Sequence, residues 1–143
     1  MDAAYFENSW KSLCFGGFLL GREALRYIVS NSKGTILFTG ASASLRGRPN
    51  FGAFNSAKAG LRTLAQAMAK EYGPNGIHVG HLVVDGGIAG EKIMNRIPNF
   101  EEKIDQGQLI NLEEIVDGYV YLYKQSAQTW TFELALRTSK EKW

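Results

Sequence analysis

Lys58 stands four residues after Phe54 in the stretch FGAFNSAKAGL. On a helix that spacing puts the ammonium and the ring on one face. With a phenol at 54 the two would form a proton-transfer dyad, the cation favouring the ionised hydroxyl. Phe54 has no proton to exchange, so the pair keeps its cation and loses its acid. Upstream, Ser42 and Ser44 in TGASASLRG could orient a carbonyl, and as turn serines they could equally satisfy local backbone groups. Asp85 and Gly86 follow the apolar run IHVGHLVV, at the end of a strand where open parallel sheets place ligands. The plainer reading of Asp85 is a turn residue before two glycines.

The remaining reactive side chains point away from chemistry. His78 and His81 are three apart on a predicted strand and face opposite sides, so they do not share a metal, and no metal site is expected. Cys14 lies in an apolar helical stretch and reads as a small core residue. As the only cysteine it excludes an intrachain disulfide and fits a reducing compartment. The composition, 45% hydrophobic and 21% charged, is that of a folded globular domain. A net charge of +2 is too small and too dispersed for a nucleic-acid surface. No apolar run approaches the ~18 residues of a membrane span, and the polar, acidic start MDAAYFENSWK is not a secretory signal. These features predict a cytoplasmic protein.

The elements that must position these groups alternate. A helix is expected over Ser9 to Ser30, carrying Leu13, Phe18, Leu20, Leu25 and Ile28. Gly16, Gly17 and Gly21 interrupt it, each at a cost of roughly 1 kcal/mol, and so require close helix–helix approach. TILF, Thr35 to Phe38, is a short strand. A second helix runs from Phe54 to Tyr72, with Gly73 as its C-terminal cap and Pro74 beyond. Ile77 to Val84 is a buried strand, and Gly90 to Gly107 forms short helical pieces around Pro98. Asn111 caps a third helix through Ile115, Tyr119 and Leu122. Thr129 to Arg137 is a half-buried strand, with Trp130, Phe132, Leu134 and Leu136 on one side and Thr131, Glu133 and Arg137 on the other. Helix–strand alternation of this kind implies right-handed crossovers and a parallel sheet.

With those elements placed, CFGGFLLGREAL, GTILFTGASASLRG, FNSAKAGLRTLAQAMAKEYGPNGIHVGHLVVDGG and WTFELALR resemble the C-terminal portion of a short-chain dehydrogenase/reductase. The resemblance implies the C-terminal half of a Rossmann-like, doubly wound α/β fold: residues 1–143 as one partial NAD(P)-binding domain, with three adjacent parallel strands and flanking helices. It implies an oxidoreductase that uses NAD or NADP on a carbonyl or alcohol. In that family a Ser, a Tyr and a Lys cooperate, often with a helix Asn, and the corresponding positions here are Ala41, Phe54, Lys58 and Leu13. Lys58 is then the cofactor-ribose ligand, with Asp85 and Gly86 as weaker cofactor-side candidates and Ser42 and Ser44 as displaced hydroxyls.

The family's TGxxxGxG pyrophosphate turn is not among these residues. FTGASASLRG imitates it, but its later glycine positions are Ser44 and Arg46 and no helix start follows. The expectation is an impaired or inactive chain; a non-catalytic scaffold or regulatory subunit, or a fragment of a longer chain, are the alternatives. The resemblance also implies a homo-oligomer through helices 9–30 and 54–72, in which Gly16, Gly17, Gly21, Ala57, Gly60 and Ala65 permit close approach. The strand near Thr35 is expected to be an open edge.

Overall fold

The structure, a computed structural model, describes residues 2–141. Helix α1 (Ala3–Trp10) runs through a π-helical turn at Lys11–Phe15 into α2 (Gly16–Ile28). The Asp2 carboxylate caps α1 by accepting from the Tyr5 N–H at 3.0 Å. The first helix thus begins earlier than Ser9, because a side-chain cap starts it rather than an apolar stripe: no residue of α1 is buried. Strand β1 (Gly34–Ala41) leads through a 3-10 turn at Ser42–Ser44 and a loop into α3 (Gly52–Tyr72). Strand β2 (Ile77–Val84) follows, then β3 (Gly87–Ile88), α4 (Glu91–Met94), α5 (Phe100–Asp105), β4 (Leu109–Ile110), α6 (Leu112–Lys124) and β5 (Glu133–Leu136).

The sheet order is β1-β2-β5 and both pairings are parallel, with Ile36 opposite Val79 and Leu82 opposite Leu134. All eight residues of β2 are buried, as in a central strand covered on both faces. On one face Leu25 of α2 and Leu61, Ala65 and Met68 of α3 close over Ile36, Phe38, Ile77 and Val79. On the other, Ile115 and Leu122 of α6 close over Leu82 and Val84. This is the expected doubly wound arrangement. The parallel pair β3–β4 was not expected, since two-residue segments carry no readable period.

Two local expectations are corrected. Gly73 is right-handed, so α3 passes into a 3-10 turn, and the left-handed residue that ends it is Gly76 at φ 81°. The last strand pairs only over Glu133–Leu136. Gln125 holds Thr131 instead, its Oε1 accepting the Thr131 N–H at 2.7 Å and its Nε2 donating to Thr131 Oγ1 at 2.8 Å. The predicted alternation therefore breaks: Phe132 joins the α2–α3 side of the core while Leu134 and Leu136 join the α6 side. The small helical residues do provide close helix–helix approach, within the chain. A Cβ at Gly17 would run into Leu61, one at Gly21 would lie 3.0 Å from Met68, and one at Gly60 3.0 Å from Cys14 Sγ. Ala57 and Ala65 are fully buried.

Candidate functional site

Parallel strands end together, so β1 and β2 deliver their C-terminal residues to one side of the sheet, the usual ligand position of such folds. There a cavity of about 690 Å³ opens. Leu13 of the π-helical turn, Ala41 and Ser42 after β1, Phe54 and Lys58 of α3, and Val84 and Gly86 at the end of β2 all line it. The four positions equivalent to Ser, Tyr, Lys and Asn are thus brought together. A smaller cavity of about 270 Å³, beside Ile77, His78 and Trp130, lies at the opposite end of β2 and far from Lys58 in the sheet.

Lys58 is half-buried, and its Nζ donates to the Thr39 carbonyl at 3.0 Å. Its ammonium lies 6.0 Å from the centre of the Phe54 ring, a contact of the cation–π kind. Burial holds the Lys58 pKa below the ordinary lysine value. An ammonium carries three donors, so one hydrogen bond to Thr39 leaves two available to a ligand.

The other candidates divide. Ser42 faces the cavity. Ser44 is buried instead, with its Oγ accepting the Ala41 N–H at 3.2 Å, which is the local backbone role. Asp85 is more than a turn residue. Fully buried, it takes Arg46 at 2.7 and 3.2 Å, and Arg137 approaches at 3.4 Å. Two guanidiniums on one buried carboxylate tie the loop after β1 to the ends of β2 and β5. Asp85 fixes the wall through Arg46 and does not itself face the cavity.

Sequence reasoning missed two groups. Asn55 fastens the loop wall: its Nδ2 donates to Arg46 O at 2.7 Å and Ala43 O at 3.4 Å, and its Oδ1 accepts the Arg48 N–H at 3.1 Å. A polar residue in the first turn of a helix carries no distinguishing spacing. Beneath the cavity floor, fully buried His81 bonds Glu133 through Nδ1 at 2.9 Å, and Arg62 grips the same carboxylate at 2.5 and 2.9 Å. Burial lowers the His81 pKa, with Glu133 partly offsetting it, so a neutral ring donates Nδ1–H to the carboxylate. The Arg62 hydrogen bond in turn holds Glu133 below the usual carboxylate range. His81 Nε2 has no partner and abuts Gly40, where a Cβ would collide with it. His78 faces the other side, stacked on Trp130, as its odd separation from His81 requires. Among the described residues no three His, Cys, Asp or Glu side chains are placed to hold a metal ion.

A profile described as short chain dehydrogenase matches residues 1–97, from α1 through the end of the β2 region and into the segment after α4. The chain belongs to the short-chain dehydrogenase family. Peroxisomal 2,4-dienoyl-CoA reductase of Saccharomyces cerevisiae is 30% identical over 130 residues, 84% of this chain and 44% of that protein. The chain therefore spans less than half the length of that relative. A short-chain dehydrogenase from Rhodopseudomonas palustris is similar in structure, at 37% identity and TM-score 0.74, over 95% of this chain and 53% of the other. A gluconate 5-dehydrogenase from Burkholderia cenocepacia, solved with NADP and tartrate, shares the fold at 15% identity and TM-score 0.80, over 96% and 56%.

Short-chain dehydrogenases use a nicotinamide cofactor, and the described residues fit one side of it. Two free donors on Lys58, held at the cavity by Thr39, suit ribose hydroxyls. The turn after β1 is a single 3-10 turn followed by loop rather than a glycine-rich turn running into a helix, which is how such folds hold a pyrophosphate. Among the described residues no helix is long and apolar enough to cross a membrane.

Proposed function

We propose that this short-chain dehydrogenase chain forms the carbonyl-facing and ribose-facing wall of an NAD(P)-dependent oxidoreductase site, weakened in its proton transfer. The observation that carries the reading is Phe54, whose ring stands beside Lys58 at the position of the family's phenol. The cofactor supplies the hydride when bound. Lys58 holds the ribose, Ser42 is the one candidate hydroxyl facing the cavity, and the apolar side chains of Leu13, Phe54 and Val84 exclude water from it. Loss of a positioned acid costs typically ~10²–10⁴ in rate. The 143-residue chain by itself is then expected to turn over no simple alcohol or ketone, and to bind NADH or NADPH weakly.

Calorimetric titration with NADH and NADPH, alongside carbonyl reduction followed through NADPH absorbance, tests this. Phe54→Tyr does not restore turnover on this reading, because the chain carries no glycine-rich pyrophosphate turn. Robust reduction abolished by Lys58→Ala would overturn the impairment and show that another group supplies the proton. Assembly belongs to the same proposal. Tyr5, Phe6, Trp10, Phe15 and Leu20 are exposed from α1 through the π-helical turn to α2, apolar surface that supports a homo-oligomer.

A further inference from the structure

Lys58 has the environment of a nucleophilic amine. Among the described residues its one hydrogen-bond partner is the neutral carbonyl of Thr39, and no carboxylate lies within ion-pair distance of Nζ. Glu133, beneath the floor, is occupied by Arg62 and His81, and Glu141, which also lines the cavity, acts on Arg46. A phenol at position 54 would compete for the amine, whereas a phenyl ring cannot. The cavity that Lys58 lines has an apolar part formed by Leu13, Phe54, Val84 and Ile88 beside the polar Arg48 and Glu141, and that apolar part suits an apolar carbonyl compound. Lysines freed from water and from counter-ions are those that enzymes use for Schiff bases.

We propose that Lys58 is a covalent attachment site for apolar aldehydes, which it takes as an imine. The lone pair of neutral Nζ attacks the aldehyde carbon and an N–C bond forms while the carbonyl π pair moves to oxygen. A proton passes from nitrogen to that oxygen, giving a carbinolamine. Loss of the oxygen as water, with the second nitrogen proton, leaves a C=N bond. No oxidant or reductant enters the step. The half-buried setting favours it twice: burial lowers the amine's proton affinity, and seating the aldehyde beside Nζ raises its effective concentration. The inference rests on the cavity being the carbonyl site proposed above, and Lys58 takes the aldehyde only while no cofactor ribose occupies its donors.

The test uses benzaldehyde with cyanoborohydride on the folded chain, followed by intact mass and peptide mapping. One benzyl group is expected on Lys58, added at least about fivefold faster than on any of the other eight lysines. That preference should vanish when the chain is unfolded in guanidinium, and the adduct at position 58 should be absent from Lys58→Arg. Label spread evenly over the lysines of the folded chain overturns the proposal. Benzyl alcohol, which cannot form an imine, separates the two readings through amide chemical shifts. Shifts at Ser42, Phe54 and Gly86 without preferential labelling sink the imine and keep the carbonyl site. An absence of both shifts and preference removes the site and the imine together.

Discussion

His81 and Glu133 are register partners on the neighbouring strands β2 and β5, and their side chains meet at 2.9 Å while Arg62 of α3 grips the same carboxylate. One acid thus joins two strands and a helix. Glu133→Ala would leave a fully buried imidazole N–H without an acceptor, at a cost of about 1–3 kcal/mol. Glu133→Gln keeps an acceptor and should cost less. Urea denaturation measures both; an unchanged midpoint for Glu133→Ala would mean that the three groups add nothing to stability.

Acidification should destabilise the fold in two steps. The folded His81 pKa lies below its unfolded value, so the unfolded chain binds more protons and stability falls as pH drops below about 6.5. Glu133 is also depressed when folded, so its contribution is complete above about 4.3 and is lost as pH falls through the folded value. Unfolding midpoints from pH 8 to pH 2 check this. His81→Gln should flatten the upper step and leave the lower one; a curve identical to that of the parent chain would remove His81 from the account.

Gly40 makes room for that imidazole. Gly40→Ala places a methyl against His81 Nε2, and overpacking of this kind costs typically about 1–3 kcal/mol. In the double variant with His81→Ala the two penalties should fall short of their sum, because the methyl then has space. Additive losses would show that the strain arises elsewhere.

Asp85 should be the most sensitive charge in the chain. Its removal in Asp85→Ala takes away the carboxylate that Arg46 and Arg137 share. Because the guanidiniums left behind are part-exposed to water, losing these charge-assisted hydrogen bonds costs about 1–3 kcal/mol. The loop wall held by Arg46 and Asn55 should loosen as well, seen as faster proteolysis between β1 and α3. A thermal midpoint within error of the parent would contradict this.

The proposed oligomer is checked by light scattering. Leu20 is 70% exposed and Leu20→Glu should dissociate it without unfolding. Leu64 is a poorer probe, since it packs against the α2–α3 side of its own core. A well-behaved parent monomer at about 50 µM would sink the assembly, since association is set by concentration.

What could be read in advance follows from what leaves a period. The strands Thr35–Phe38 and Ile77–Val84 and the helix from Phe54 are buried on regular faces, so the elements and their parallel pairing were legible, while the strand order and the grouping of Leu13, Ala41, Phe54 and Lys58 came from the family resemblance. The Gln125 clamp on Thr131, the Asn55 ties and the Glu133 bond to His81 join residues at separations of no regular period through single polar atoms. Such contacts leave no spacing to read. Glu133 looked like a solvated position for the same reason: alternation marks it polar but cannot say that a histidine and an arginine await it.

Strand β5 is attached by only four register pairs, while β1 and β2 share eight. Local opening draws on weakly held elements first, and in this three-stranded sheet the less firmly paired strand carries the carboxylate that accepts from a buried histidine. Each detachment of β5 would carry Glu133 away and let water reach His81, whose proton affinity would rise as its burial ended. The breathing of the sheet edge is thereby coupled to proton uptake. Amide exchange in β5 should then quicken on acidification relative to β1, as a motion that the ring's protonation traps in its open form.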